Sequence, residues 1–333
     1  MKKDDAVLLG PFVGELYWEA GRFAPMLPKM YQDDNKKKKA HPKYIILTRH
    51  DRFDLYGKFA DILVPLRIPG DYKRMHPECF RLVGFNIEEY KKLANNFKAK
   101  YSEKYNIVKH LYPDIRKGKF VQKNQFAQNQ MKHVFSPRQQ NFDIVNSYLP
   151  NDKPVVVLAP RFRKGFKRNW NQWPLFYDML AKDKQLTNDF HFIVCGKKGE
   201  YIPDSQHRFL DLNDMTPGES SSLVGLLLVV LQKAFFTFGS QSAIPNLSLL
   251  HKVDVLEFGC QKMYHTRTYN IHNSPITFIV DKRYNIPPNQ IFPKFKKLLY
   301  KKRRSQDGTP NTQRMDSTEK ARNRSLKKTI TGA

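Results

Sequence analysis

The segment APRFRKGFKRNWNQWP, residues 159–174, places a dense group of cations directly after an apolar run that predicts a buried strand. These cations are Arg161, Arg163, Lys164, Lys167 and Arg168. Ligands of open α/β sheets bind at the carboxyl ends of strands, so this group can neutralise a nucleotide diphosphate without a metal ion. Four aromatic residues are interleaved with the cations, namely Phe162, Phe166, Trp170 and Trp173. Because aromatic rings stack on bases, a non-specific polyanion patch is the alternative interpretation.

A second polar turn lies in FGSQSAIPNLSLL, residues 238–250. Gly239 is predicted to end a strand, and Ser240, Gln241 and Ser242 are predicted to open a helix. The free N–H groups and the positive dipole end of a helix that starts at Ser242 favour phosphate, and the two serine hydroxyls add donors. The simpler interpretation is that Ser240 caps the helix, and the local sequence alone favours it. The basic segment 159–174 shifts the balance toward a phosphate site.

Composition restricts the partners. The 58 Lys and Arg residues against 31 Asp and Glu give a net charge of +27. This charge suits polyanionic partners such as nucleic acid, an anionic membrane or phosphorylated ligands, although a coding bias toward lysine explains it equally well. The apolar fraction of 40% is enough for real cores and excludes global disorder. Three widely spaced cysteines predict neither a disulfide scaffold nor a zinc site and fit a reducing compartment.

Several motifs of common enzyme classes are absent from the sequence. It contains no Walker A motif, G-x-G-x-x-G, G-x-S-x-G or H-E-x-x-H, and no D-x-D triplet to hold a metal against a diphosphate. We therefore expect no cofactor and no metal. The longest apolar run, residues 223–231, is too short to span a bilayer. We expect a cytoplasmic protein without a transmembrane segment, with peripheral attachment to a membrane as a further option.

Apolar runs alternate with helical patterns along the chain, which predicts α/β architecture with parallel sheets in both halves. The predicted strands are 6–12, 44–48, 61–66, 154–160, 190–196, 234–239 and 253–259. The predicted helices are 15–27, 86–105, 173–183, 222–233, one from Ser242 and one over 287–304. The polar stretch 136–154 is predicted to be a domain boundary, and 33–42 a charged surface loop. The expected organisation is one Rossmann-like domain over 1–150, a second over 151–304, and a basic disordered tail over 305–333.

The second half resembles the donor domain of GT-B glycosyltransferases, most of all the ADP-heptose:lipopolysaccharide heptosyltransferase group. The resemblance covers residues 154–260 and is carried by KRNWNQWP (167–174), FIVCG (192–196), a Leu-rich helix and strand, and FG (258–259). Before the last strand this family has a D-T-G-x-x-H-type turn over the nucleotide phosphates. Here Ser240, Gln241 and Ser242 replace Asp, Thr and Gly, and Pro245 replaces His.

The N-terminal stretch GPFVGELYWEAGRFAPML, residues 10–27, resembles the strand–Gly-Asp–helix opening of the same family, in which the acidic residue is the proposed general base. The resemblance therefore implies Glu15 as the base. Glu19 lies one helical turn further on the same face and is the reserve candidate. An acidic residue that merely stabilises a first helical turn is the equally weighted alternative.

Together these features predict a GT-B-like, metal-independent glycosyltransferase of the hexosyl- or heptosyltransferase type. It would move a sugar from a nucleotide-diphosphate sugar to a hydroxyl acceptor on a surface or lipid-linked glycan, or on a modified DNA base. The expected donor site comprises Arg161, Arg163, Lys164, Lys167, Ser240, Gln241 and Ser242. The acceptor or surface is expected to be polyanionic, either DNA or an anionic membrane or glycan. The alternative is a non-catalytic nucleic-acid-binding protein on the same scaffold.

Overall fold

The computed structural model describes residues 3–13, 16, 19–24, 27–36, 41–66, 87–112, 135–161, 169–196, 209–215, 222–259, 270 and 272–306. The chain divides into two compact units, Met1–Pro288 and Asn289–Ala333. The first unit contains two parallel sheets. The described part of the second unit consists of a single helix.

The first sheet is formed by β1 (Asp5–Phe12), β2 (Lys43–Thr48), β3 (Ile62–Pro65) and β4 (Asn106–Leu111), in the order β3-β2-β1-β4. All three pairings are parallel. The central strands β1 and β2 are buried along almost their whole length because they are apolar on both faces. Four helical segments accompany this sheet: a π-helical turn (Glu19–Phe23), α1 (Leu27–Lys36), a 3₁₀ helix (His50–Leu55) and α2 (Ile87–Ser102).

The second sheet has six parallel strands in the order β10-β9-β8-β5-β6-β7. They are β5 (Val155–Ala159), β6 (His191–Val194), β7 (Leu210–Asp211), β8 (Ala234–Ser240), β9 (Asp254–Gly259) and β10 (Ile276–Val280). The helices of this half are α3 (Gln139–Tyr148), α4 (Trp173–Lys182), α5 (Lys184–Asp189), a 3₁₀ turn (Leu212–Asp214), α6 (Leu223–Lys233) and α7 (Ala243–Leu250). Helix α8 (Pro288–Gln306) belongs almost entirely to the second unit.

Each sheet has a point at which the strand order reverses. In the first sheet it lies between β1 and β4, and in the second between β5 and β8. The crossovers on the two sides of such a point leave in opposite directions, which opens a crevice at the carboxyl ends of the two strands. The crevices of the two sheets are therefore expected after Phe12 and Leu111, and after Ala159 and Ser240.

Helix α6 joins the two halves of the first unit through a shared core. Its residues 224–231 are all buried, and it contacts β5, α3 and the 3₁₀ helix His50–Leu55. The buried carboxylate of Asp54 in that 3₁₀ helix accepts hydrogen bonds from Arg138, from Asn141 in α3 and from Ser222 at the start of α6. The prediction of two Rossmann-like α/β halves is confirmed, and a common core with a buried polar clasp links them. The domain limits at 150 and 304 remain predictions.

All seven predicted strands are present, with small shifts at their ends. Two local predictions are wrong: the loop over 33–42 is helical as far as Lys36, and 15–27 is not one regular helix but includes a π-helical turn. The polar stretch 136–154 contains the helix α3, and the domain boundary placed there remains a prediction. Strands β4, β7 and β10 and helix α5 had not been predicted. The tail predicted from residue 305 lies outside the described residues from 307 onward.

Candidate active site

The turn between β8 and α7 is built by close backbone packing. β8 ends at Ser240, and the N–H of Gln241 still donates to the carbonyl oxygen of Phe258 in β9, at 2.9 Å. A Cβ on Gly239 would lie 2.7 Å from the Cβ of Ala159 and 2.8 Å from its carbonyl oxygen. Glycine is needed there because β5 and β8 approach each other closely at the order reversal. The turn is therefore held at the crevice of the second sheet.

Buried polar atoms without partners gather at this turn. The Oγ atoms of Ser240 and Ser242, the Oδ1 of Asn246 and the Oε1 of Glu257 are all buried and have no hydrogen-bond partner among the described residues. An unsatisfied buried polar group costs about 1–3 kcal/mol, so four in one region require an explanation. One explanation is a polar ligand that supplies the missing hydrogen-bond partners.

The structure corrects the interpretation of Ser240 as a helix cap. Ser240 is the last residue of β8, and Ser242 occupies the N-cap position of α7 without a side-chain capping bond. Neither hydroxyl therefore caps the helix α7. The first turn of a helix leaves N–H groups without intrahelical partners, so α7 adds donors at this turn, except at Pro245, which has no N–H.

Arg161 is positioned at this turn by the strand that precedes it. It follows the end of β5, and its Nη1 donates to the carbonyl oxygen of Gln241 at 2.6 Å. The structure therefore brings Arg161 next to the turn of Ser240, Gln241 and Ser242, and their role in binding a donor remains a prediction. Three other predicted donor-site residues, Arg163, Lys164 and Lys167, lie outside the described residues, as do Arg168, Phe162 and Phe166.

The two tryptophans of the basic segment are core residues. Trp170 and Trp173 are 1% and 0% exposed. Their rings contact each other and the rings of Phe176, Phe238 and Phe258. The indole nitrogen of Trp170 donates to the carbonyl oxygen of Ile286 at 2.8 Å. The prediction that these two rings could stack on nucleic-acid bases is wrong, because both are buried within the protein.

Glu257 is a carboxyl group that the sequence interpretation missed. It lies in β9 opposite Gly239 of β8, two residues before the strand ends, and it is 2% exposed. Burial raises the pKa of Glu257 from its ordinary value near 4.5 to about 8. The group is therefore largely protonated at neutral pH and does not repel a nearby anion. Its signal in the sequence is a carboxylate that stands between apolar residues in the second half of the run VDVLEFG.

Of the two carboxylates predicted near β1, Glu15 lies outside the described residues and Glu19 is buried in the π-helical turn. The Oε1 of Glu19 accepts hydrogen bonds from the hydroxyls of Thr48 and Tyr56, and its Oε2 accepts from Nη1 of Arg52 at 2.5 Å. Burial alone would lower the pKa of Arg52, but the charge and hydrogen bond of Glu19, together with the charges of Asp51 and Tyr56, raise it overall. Burial and Glu19 together raise the pKa of Tyr56 well above its ordinary value.

Glu19 thus occupies the predicted end of the first sheet, but as a member of a closed network. Thr48 is the last residue of β2, so the carboxylate does lie at the carboxyl edge of the strands. Both of its oxygens are engaged by donors, which suits a residue that positions the turn. The same π-helical turn contacts α7, so the crevice region of the first sheet borders the helix that carries the polar turn.

Two further observations concern metals and membranes. No group of three or more His, Cys, Asp or Glu residues in the described part of the chain could hold a metal ion. Among the same residues, no helix is long and apolar enough to cross a bilayer.

The fold and turn define a class: a two-sheet parallel α/β protein with a polar turn at a strand-order reversal. No family model and no curated protein matches the chain. Solved structures that are similar to it include the following two. The glycosyl transferase family 9 structure from Veillonella parvula has a TM-score of 0.54 at 9% identity, covering 90% of this chain and 99% of that one. The ADP-heptose lps heptosyltransferase II from E. coli has a TM-score of 0.52 at 10% identity, covering 91% and 100%. At such identities the likeness shows the fold, which is the GT-B-like fold of glycosyltransferases.

Proposed function

We propose that the protein is a metal-independent glycosyltransferase that uses a nucleotide-diphosphate sugar as donor. The observation that carries the proposal is the set of buried, unpartnered hydroxyls of Ser240 and Ser242 at the start of α7, beside Arg161. The GT-B-like fold, shared with proteins whose structures are described as glycosyl transferases, supports it.

The donor diphosphate would lie at the crevice between β5 and β8. The first N–H groups of α7 and the two serine hydroxyls supply hydrogen bonds, and Arg161 supplies positive charge. Arg163, Lys164 and Lys167 follow in the chain and complete the neutralisation in this proposal. Gln241, held between Arg161 and the backbone of Phe258, fixes the turn. The positive charge of these side chains takes the place of a metal ion in stabilising the departing diphosphate.

In this proposal, a carboxylate that follows β1 of the first sheet deprotonates the acceptor hydroxyl. Glu15, four residues before the π-helical turn, is the proposed general base. It removes the proton of an acceptor hydroxyl, the oxygen bonds to the anomeric carbon of the sugar, and the bond from that carbon to the diphosphate breaks. The nucleoside diphosphate leaves with the electron pair of that bond. Glu19 acts differently in this scheme: it anchors the turn through Thr48, Arg52 and Tyr56.

The acceptor is proposed to carry negative charge, in keeping with the net charge of +27. An anionic glycan, a glycan on an anionic membrane, or DNA with a modified base would each satisfy this requirement. The rival function, nucleic-acid binding without chemistry, loses two of its four stacking candidates because Trp170 and Trp173 are buried.

The test separates donor binding from transfer. Calorimetric titrations with UDP-, GDP-, ADP- and CMP-sugars in the presence of EDTA should identify one nucleotide class that binds. With that donor, Glu15→Gln should bind normally and lose transfer by about 10²–10⁴-fold, because glutamine cannot accept the proton. Glu88→Gln, which alters an exposed carboxylate of α2, is the matched control and should change neither property.

Two results would overturn the proposal. One is stabilisation by oligonucleotides alone with no binding of any nucleotide sugar. The other is full transfer activity in Glu15→Gln, which would rule out Glu15 as the base of the proposed transfer.

A further inference from the structure

Helix α8 has an unusual distribution of charge. Its 19 residues, PNQIFPKFKKLLYKKRRSQ, include seven Lys or Arg and no Asp or Glu. Ile291, Phe295 and Leu299 are fully buried and follow one another at a spacing of four, so they form one face of the helix. The helix is therefore amphipathic, and its apolar face is already covered.

Four of the cations form a row on the opposite side, which we call the basic stripe. The stripe consists of Lys294, Lys297, Lys301 and Arg304, all of them exposed. Their spacing of three, four and three residues places them within an arc of about 80° around the helix axis and along about 15 Å of its length. The other three cations of α8 are half-buried: Lys296 and Arg303 lie at the side of the helix, and Lys302 continues the face of Ile291, Phe295 and Leu299.

The stripe works against the stability of its own helix. Each member stands three or four residues from the next, the spacing at which like charges repel most on a helix surface. None of the four forms an ion pair with a carboxylate in the described part of the chain. The helix dipole favours cations only in the last turn, so it accounts for Arg304 but not for Lys294. An external anionic surface would relieve the repulsion of the whole row.

We propose that the basic stripe docks the protein on an anionic lipid bilayer. A straight, narrow row of long side chains can reach a plane simultaneously, and mobile lipid headgroups can adjust to its fixed spacing. A nucleic-acid duplex curves away from such a row, and no aromatic residue stands among the four to stack on unpaired bases. Because the apolar face of α8 is buried, the contact is electrostatic and superficial, and it weakens as salt is added. This inference does not depend on the proposed glycosyl transfer.

The test is vesicle co-sedimentation with the full chain at low ionic strength. We expect binding to phosphatidylcholine vesicles that contain about one-third phosphatidylserine, and little binding to pure phosphatidylcholine. Replacing all four stripe residues with Gln should weaken that binding about tenfold or more. The matched control removes the same charge elsewhere by changing the exposed Lys92, Lys98, Lys104 and Lys109 to Gln, and it should retain nearly all of the binding. A milder variant, Lys297→Gln with Lys301→Gln, should fall between.

Three outcomes would overturn the docking proposal. Equal losses in the stripe and control variants would mean that net charge alone drives binding. No preference for phosphatidylserine would remove the lipid surface as the partner. A stripe variant that loses affinity for a DNA duplex while it keeps vesicle binding would assign the stripe to nucleic acid. Melting temperatures of all variants show whether folding is preserved, as exposed Gln substitutions predict.

Discussion

The first unit contains two buried polar clusters that differ in one respect. At Glu19, both carboxylate oxygens have partners: they accept hydrogen bonds from Thr48, Tyr56 and Arg52. Around the β8–α7 turn, the Oγ atoms of Ser240 and Ser242 and the Oε1 of Glu257 lack partners among the described residues. Both clusters lie near the carboxyl edges of parallel strands, where ligands of such folds bind.

The difference separates structure from ligand binding. A buried charge persists when opposite charge and hydrogen bonds surround it, and such a network fixes the local geometry. A buried hydroxyl without a partner makes the folded state less stable, and a ligand that supplies the missing partner recovers that free energy on binding. We therefore expect the Glu19 cluster to support the fold, and this contrast favours the β8–α7 turn as the proposed donor site. Substitutions in the two clusters should have opposite consequences.

The largest effect is expected at Glu19. Glu19→Gln leaves the guanidinium of Arg52 buried without a counter-charge, which costs about 3–5 kcal/mol of unfolding free energy. Urea unfolding followed by circular dichroism measures the change. Glu88→Gln provides the control, because Glu88 pairs with Lys91 at 2.8 Å with its side chain 80% exposed, and we expect no more than about 0.5 kcal/mol there. Ordinary substitutions change the unfolding free energy by about 1 kcal/mol. If Glu19→Gln lowered it by no more than that, Glu19 would not be a structural anchor and the contrast with the β8–α7 turn would fail.

At high pH, replacing Glu257 with Gln should raise the unfolding free energy, whereas the same replacement at Glu19 lowers it. The folded-state pKa of about 8 lies above the ordinary value near 4.5. Between these values the unfolded chain has lost the proton that the folded chain keeps, so unfolding free energy falls with rising pH by about 1.4 kcal/mol per unit. The contribution is fully present below pH 4.5 and is lost by the time the pH has passed 8.

Glu257→Gln removes this ionisation and should flatten the pH dependence by that slope. The variant should therefore gain stability relative to wild type as the pH is raised from 6 toward 8, whereas Glu19→Gln should be destabilised throughout. Urea unfolding at a series of pH values measures the difference between each variant and wild type, which cancels the other titrating groups. Parallel curves for Glu257→Gln and wild type would show that Glu257 is ionised in the folded protein.

The sequence predicted the strands well because burial leaves a local signal. The runs VVVLA of β5 and AFFTFG of β8 are too apolar and too short for anything but central parallel strands. β4 was missed because it is an edge strand, and NIVKHL mixes charged and apolar residues. α3 was missed because QQNFDIVNSY has few apolar residues, of which Val145 is fully buried.

The candidate site was predicted as far as its residues are neighbours in sequence. Ser240, Gln241 and Ser242 form one turn, and Arg161 meets them because adjacent strands end together. The partners of Glu19 could not be foreseen, since Thr48, Arg52 and Tyr56 are 29 to 37 residues away and no spacing rule connects them. The tryptophans were misjudged because aromatic residues beside cations suit both a core and a stacking surface, and only the packing decides between them.

The smallest effects on stability are expected for three serines of the segment 238–250. Two of them lack described hydrogen-bond partners and the third has them. Ser240→Ala and Ser242→Ala remove hydroxyls without described partners, so unfolding free energy should stay the same or rise slightly. Ser248 of α7 is bonded: it donates to the carbonyl oxygen of Ile244 at 2.9 Å and shares a hydrogen bond with Thr237 at 2.8 Å. Ser248→Ala should therefore lose about 0.5–1.5 kcal/mol.

For affinity, the order of the serine variants should be the reverse of their order for stability. The double variant Ser240→Ala with Ser242→Ala should bind the nucleotide-sugar donor about tenfold or more weakly by calorimetry, since two hydrogen bonds to charged oxygens are removed. Ser248→Ala should bind it as wild type does, because its hydroxyl is used within the protein. Weaker binding in Ser248→Ala alone would place the ligand elsewhere on α7. Loss of stability in the double variant without loss of affinity would mean that both hydroxyls have structural partners, and the contrast with Glu19 would disappear.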